Sequence, residues 1–138
     1  CATGHRADAA RLTRFARWIP PEGLHRRFDT LFYVAPVEAG MAVTPDGAEA
    51  VTAHWTTAAD AVAKAERDEI NVIFPTRRNL ERLAQYPTVA ALLDRLAGVP
   101  PTLIQPRIVT RDGEQWLTIP PDLDYPVTEE RLLAAKRG

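Results

Sequence analysis

The chain has 138 residues, of which 46% are hydrophobic and 25% charged, the balance of an ordinary globular domain with material for one core. With 17 basic residues against 18 acidic ones the net charge is −1, so no global field favours nucleic acid or an anionic membrane. No apolar run approaches the roughly 20 residues that a bilayer span needs, and the single cysteine, Cys1, excludes an internal disulfide and a cysteine-cluster metal site.

In chain order, Ala9, Leu12, Phe15 and Ala16 recur at helical spacing and predict a short helix over residues 6–15. Pro20 and Pro21 end it, and the following Glu-Gly reads as a turn. From Phe28 to Val37 both alternating sets are apolar, which predicts a central strand covered by helices on both faces. Pro36 to Ala48 reads as a loop, with turn chemistry at Pro45-Asp46-Gly47. Residues 49–55 then alternate, placing Val51, Ala53 and Trp55 on the inner face of a second strand.

Thr57 with Asp60 resembles a capping box and starts a helix that carries Ala58, Ala61, Val62 and Ala65 on one face. After a short apolar connector, residues 70–75, Thr76 starts a second helix with Leu80, Leu83 and Ala84 inward. Thr88 starts a third, with Leu92, Leu93 and Leu96 inward and Gly98 as its stop. Residues 102–119, turning at Arg111-Asp112-Gly113, read as a hairpin, and a short charged helix is expected from Thr128. The fold class is therefore α/β or α+β layers in a single domain, lopsided because the first strand lacks enough neighbours.

The chemistry-bearing residues are sparse. His5, His25 and His54 are scattered without metal-ligand spacing, and no nucleotide-loop, zinc-helix or serine-elbow motif occurs. Arg26, Arg27 and Asp29 form the informative cluster, because guanidinium forks bind phosphate bidentately and a neighbouring carboxylate can hold one fork in place. The alternative is a surface pair that caps the strand entrance. Glu38 and Glu49 flank the long loop, where either could approach a cation or a water or simply stay solvated. Arg77 and Arg78 open a helix against its dipole, which points to an anion or carboxylate partner.

Three segments carry a family resemblance. "FARWIPPEGLHRRFDTLFYVAPV", then "AEAVTAHWTTAADAVAKA", then "FPTRRNLERLA" are together similar to the C-terminal half of a Nudix hydrolase of the acyl-coenzyme A diphosphatase-like branch. "LTIPPDLDYP" resembles the closing stretch of that branch. The similarity runs from about Leu12 to Pro126 and is most specific in its first segment. It implies a partial Nudix-type α/β/α sandwich with a mixed sheet, C-terminal helices and a hairpin. The implied activity is hydrolysis of a diphosphate linkage in a nucleotide or coenzyme A derivative. Arg26, Arg27, Asp29 and Thr30 match the branch's motif and are the implied substrate-binding residues; Glu49 stays a candidate loop carboxylate by its place in the chain alone.

The family also implies Mg²⁺ or Mn²⁺, held by the glutamates of the Nudix box. That box, G-x5-E-x7-R-E-U-x-E-E-x-G-U with U apolar, occurs nowhere in the 138 residues. "ERDEI" and "TEERL" read as solvated helix ends instead. In the branch the box precedes the segment that matches Phe15. With the first residue Cys1 and the only methionine at Met41, the expectation is the C-terminal part of a Nudix domain, with an N-terminal box-bearing segment as its partner. The rival reading is a Nudix-like module without catalysis that binds a nucleotide or a protein. A small-molecule diphosphate substrate is expected, with no nucleic acid and no membrane as partners, a cytoplasmic location and room for a homo-oligomer.

Overall fold

A computed structural model of the chain describes residues 9–22, 28–48 and 50–132. They form two small sheets and three helices, a mixed α/β content. After a single 3-10 turn at Ala9–Arg11 comes β1 (Thr13–Trp18), where the spacing predicted a helix. The reason lies in its register against β2 (Thr30–Val34), which shifts between Arg14 and Ala16. A bulge of this kind lets Phe15 and Ala16 both turn inward beside Trp18, while Arg14 and Arg17 stay outside. Strand alternation with one residue inserted imitates helical spacing.

β1 lies in the middle of the first sheet, antiparallel to β2 on one side and parallel to β3 (Leu103–Ile104) on the other. The sheet is therefore mixed, but β2 is its edge and not its centre among the described residues. Phe32 and Val34 of β2 pack on the core, whereas Leu31 and Tyr33 are exposed on the other face. The expected second strand at residues 49–55 is absent over 50–55. Instead Asp46 Oδ1 accepts from the amides of Ala48 and Ala50, and Gly47 takes φ +75° in the turn that Pro45-Asp46-Gly47 promised. Val51, Ala53 and Trp55 are all exposed, because an alternating segment with no strand beside it has no inner face.

The helices follow their local chemistry more closely. In α1 (Ala58–Glu66), Thr57 Oγ1 accepts from the Asp60 amide, and Ala61 is buried. α3 (Val89–Leu96) is capped by Thr88 Oγ1 on the Ala91 amide, buries Leu92 and Leu96, and is followed by Gly98 at φ +70°. α2 (Phe74–Ala84) begins two residues before Thr76, with Pro75 in its first turn and no side-chain cap at Ile73. Proline is tolerated there because its missing N–H would be unpaired in any case. Ala84, expected inward, is exposed, and the buried residues of α2 are Phe74, Arg78, Asn79 and Glu81.

The second sheet is the antiparallel run β4 (Arg107–Arg111), β5 (Glu114–Thr118) and β6 (Glu129–Arg131). Asp112 and Gly113 both have positive φ, 51° and 77°, the signature of a tight two-residue hairpin turn. β6 replaces the helix expected from Thr128, with Glu130 turned inward and its neighbours outward. Phe15, Trp18, Phe74, Leu96, Ile104, Leu117, Ile119 and Tyr125 belong to one core cluster that joins both sheets to α2 and α3. No helix among the described residues is long and apolar enough to cross a membrane.

Candidate functional site

Of the sequence-predicted cluster, Asp29 and Thr30 sit at the start of β2, beside the end of β1. Arg26, Arg27 and Glu49 lie outside the described residues. Asp29 and Thr30 are both described, and the partner of Asp29 is Arg17. The antiparallel register brings Arg17 beside the start of β2, opposite Leu31. Its Nε donates to both carboxylate oxygens of Asp29 at 2.9 and 3.2 Å, and its Nη2 donates at 2.6 Å. These hydrogen bonds hold the Asp29 carboxyl below the usual carboxylate range and raise the Arg17 guanidinium. The fork that Asp29 holds is thus one strand away, on a residue that sequence reasoning did not single out. The only signal for it was Arg14-x-x-Arg17 on the outer side of a strand that the spacing disguised as a helix.

Thr30 faces the other way and lines a cavity of about 310 Å³. Trp18, Phe32, Phe74 and Leu117 form much of its wall, and Pro20 and Phe28 stand at the same strand ends. Trp18 is fixed in that wall by its indole N–H, which donates to Asn79 Oδ1 at 3.2 Å, and by edge contacts with Phe74 and Tyr125. The same Asn79 oxygen accepts from Tyr125 Oη at 2.9 Å. One side-chain amide of α2 therefore orients two core aromatic rings.

A second constellation lies inside the protein. Arg78 is 2% exposed and Glu81 9%. Arg78 Nη2 meets Glu81 Oε1 at 2.7 Å and Glu130 Oε2 at 3.3 Å, and its guanidinium lies 5.2 Å over the Phe74 ring. Arg77 approaches Glu81, Glu130 and Glu66 at 3.5, 3.7 and 3.8 Å. The carboxylate partner implied by two arginines at a helix start is therefore internal. Glu130, expected in a solvated helix end, is one of its members. Burial pushes the Glu81 carboxyl up, against the pull of both arginines, and pushes the Arg78 guanidinium down. One turn on, Arg82 stacks over Phe15 and Tyr125 and donates to the Phe15 carbonyl at 2.9 Å. Asp124 accepts from Tyr86 Oη at 2.6 Å and lies 3.7 Å from Arg82 and 3.5 Å from Arg95.

These interior charges tie α2 to β6 and to the segment around Asp124. Among the described residues no group of three or more His, Cys, Asp or Glu side chains could hold a metal ion. The carboxylates that the fold does bring together, Glu81 and Glu130, face two guanidinium groups. The donor set described here does not fit the Mg²⁺ or Mn²⁺ that the resemblance implied. His54 and Glu38 are exposed and stand apart from both constellations. No protein-family description, curated protein or solved structure matches this chain.

Proposed function

We propose that this chain is the substrate-side part of a Nudix-type hydrolase that cleaves a diphosphate linkage in a nucleotide or coenzyme A derivative. The observation that supports the reading is positional. Asp29 and Thr30 enter β2 beside an apolar cavity, with Asp29 anchored by Arg17 and Thr30 on the cavity wall, and Arg26 and Arg27 shortly precede them in the sequence. An anchored strand entrance next to a concave apolar surface is a suitable place to orient an organic diphosphate. In this reading the sheet β2-β1-β3 is part of a larger α/β/α sandwich, and a box-bearing segment supplies the metal-binding glutamates from outside these 138 residues. A divalent ion held there would neutralise developing charge and activate water.

The second reading, a nucleotide- or protein-binding module without catalysis, is favoured by the commitment of Glu81 and Glu130 to Arg77 and Arg78. One experiment separates the two. The full-length protein and this chain are assayed with coenzyme A and nucleoside diphosphate derivatives in Mg²⁺ or Mn²⁺. Turnover by the full-length protein and none by the chain is the expected result. Absence of turnover in both would leave the binding module, and metal-dependent turnover by the chain alone would overturn the division of labour.

A further inference from the structure

We infer that the cavity at the ends of β1 and β2 binds the apolar arm of the substrate, so that the ligand class is an organic diphosphate carrying an alkyl chain or ring. The inference rests on the diphosphate reading above for the polar end of the ligand alone. The apolar end stands on the cavity itself, whose volume is about 310 Å³. That is within the roughly 300–1,000 Å³ of small-molecule pockets. A dry cavity of about 150 Å³ holds the six carbons of benzene, and by that scale this one has room for about twelve.

Its lining explains the preference. Pro20, Pro21, Pro75 and Pro106 contribute to the wall, and proline offers no backbone N–H. The Trp18 indole N–H on the same wall is already given to Asn79. Thr30 supplies the one side-chain hydroxyl of the described lining. A polar guest would therefore lose its water with little in return. The mouth is apolar as well, because Phe28 and Ile73, 66% and 54% exposed, both border the cavity. Apolar rims that stay wet in the free protein gain by being covered. Thr30 adjoins Asp29 in sequence, so an arm in the cavity leaves its diphosphate end at the strand entrance proposed to receive it.

Calorimetric titration of the chain with geraniol, geranyl diphosphate and inorganic diphosphate tests this, using wild type and Ile73→Asp. Ile73 is the residue before α2 and gives the helix no side-chain cap, so aspartate there should hold or raise the melting temperature. The same charge on the cavity rim should weaken geraniol binding by about tenfold or more. Phe28→Ser, at an exposed rim position, is the second variant and should weaken geraniol in the same sense. Affinity falling while stability holds is the expected result. Geraniol failing to bind wild type, or binding equally well to both folded variants, overturns the apolar arm. If geraniol binds and is lost in the variants but geranyl diphosphate binds no more tightly, the cavity assignment stands and the diphosphate reading falls.

Discussion

Arg78 on α2 is 2% exposed, while Val51 and Trp55 in the segment after β2 are 75% and 63% exposed. The charged residue is inside and the apolar ones are outside. What separates the two regions is the supply of partners. Arg78 has Glu81 on its own helix, Glu130 from β6 and the face of Phe74 around it, so its Nη2 meets two carboxylates where it loses water, although its Nε is buried without a hydrogen-bond partner. Residues 50–55 have no strand beside them among the described residues, and the Trp55 indole N–H donates back to the Met41 carbonyl of the same loop. Hydropathy sets what burial is worth, but pairing decides where burial happens.

The most severe way to test that contrast is Arg78→Ala. Removing Arg78 takes away the closest counter-charge of Glu81 and Glu130 and leaves them only the more distant Arg77, a break in a buried ion cluster that costs about 3–5 kcal/mol at most. Urea denaturation should show a large fall in the midpoint, with hydrogen exchange rising first in β6. A loss no bigger than that of an exposed arginine such as Arg14 would mean the interior charges do not hold α2 to β6.

The strand entrance should respond differently, through function. If the full-length protein hydrolyses a diphosphate as proposed, Arg26→Ala or Arg27→Ala should lower its kcat/KM roughly ten- to a hundredfold, the loss of one charged hydrogen bond to phosphate at about 1.5–3 kcal/mol. The melting temperature should hold, and lysine should restore only part of the activity because it lacks the fork. Asp29→Ala should track Arg17→Ala, its observed partner, and neither should change stability measurably because that pair is exposed. An unchanged kcat/KM beside a lowered melting temperature in both arginine variants would make the pair structural.

The smallest expected effect is on pH dependence. Burial raises the Glu81 carboxyl above its usual value, so the folded state holds that proton more tightly than the unfolded chain does. The associated stability is fully present below the unfolded value, about 4.3, and is lost as pH rises through the raised folded value. Asp29 is shifted the opposite way, its carboxyl lowered by Arg17, but that pair is exposed and adds no measurable slope on the acid side. Glu81→Gln should flatten the decline above about pH 4.3 and leave the acid side unchanged. Urea midpoints across that range would show it, and a wild-type slope in the variant would assign the decline to another group.

Much of the local structure was legible in the residues themselves. Thr57 and Thr88 cap helices, Gly98 follows one at positive φ, Asp46-Gly47 turns the loop, and Asp112-Gly113 closes the hairpin. Each depends on atoms within a few positions of one another. The candidate site was half legible. Asp29 and Thr30 could be picked out as an unusual strand entrance, but Arg17 and the cavity wall from Phe74 and Leu117 reach them across the fold.

The sequence by itself determined the caps of α1 and α3, the turns and the absence of a Nudix box from these 138 residues. Only the tertiary structure decided that residues 13–18 pair as a bulged strand, that β2 stands at an edge, that residues 50–55 stay outside, and that β6 is a strand. It also decided that a polar face of α2 is buried. The physical reason is common to all of these. A strand's hydrogen bonds and a buried charge's counter-charges come from residues distant in sequence, and one-dimensional periodicity carries no record of which distant residues will be there.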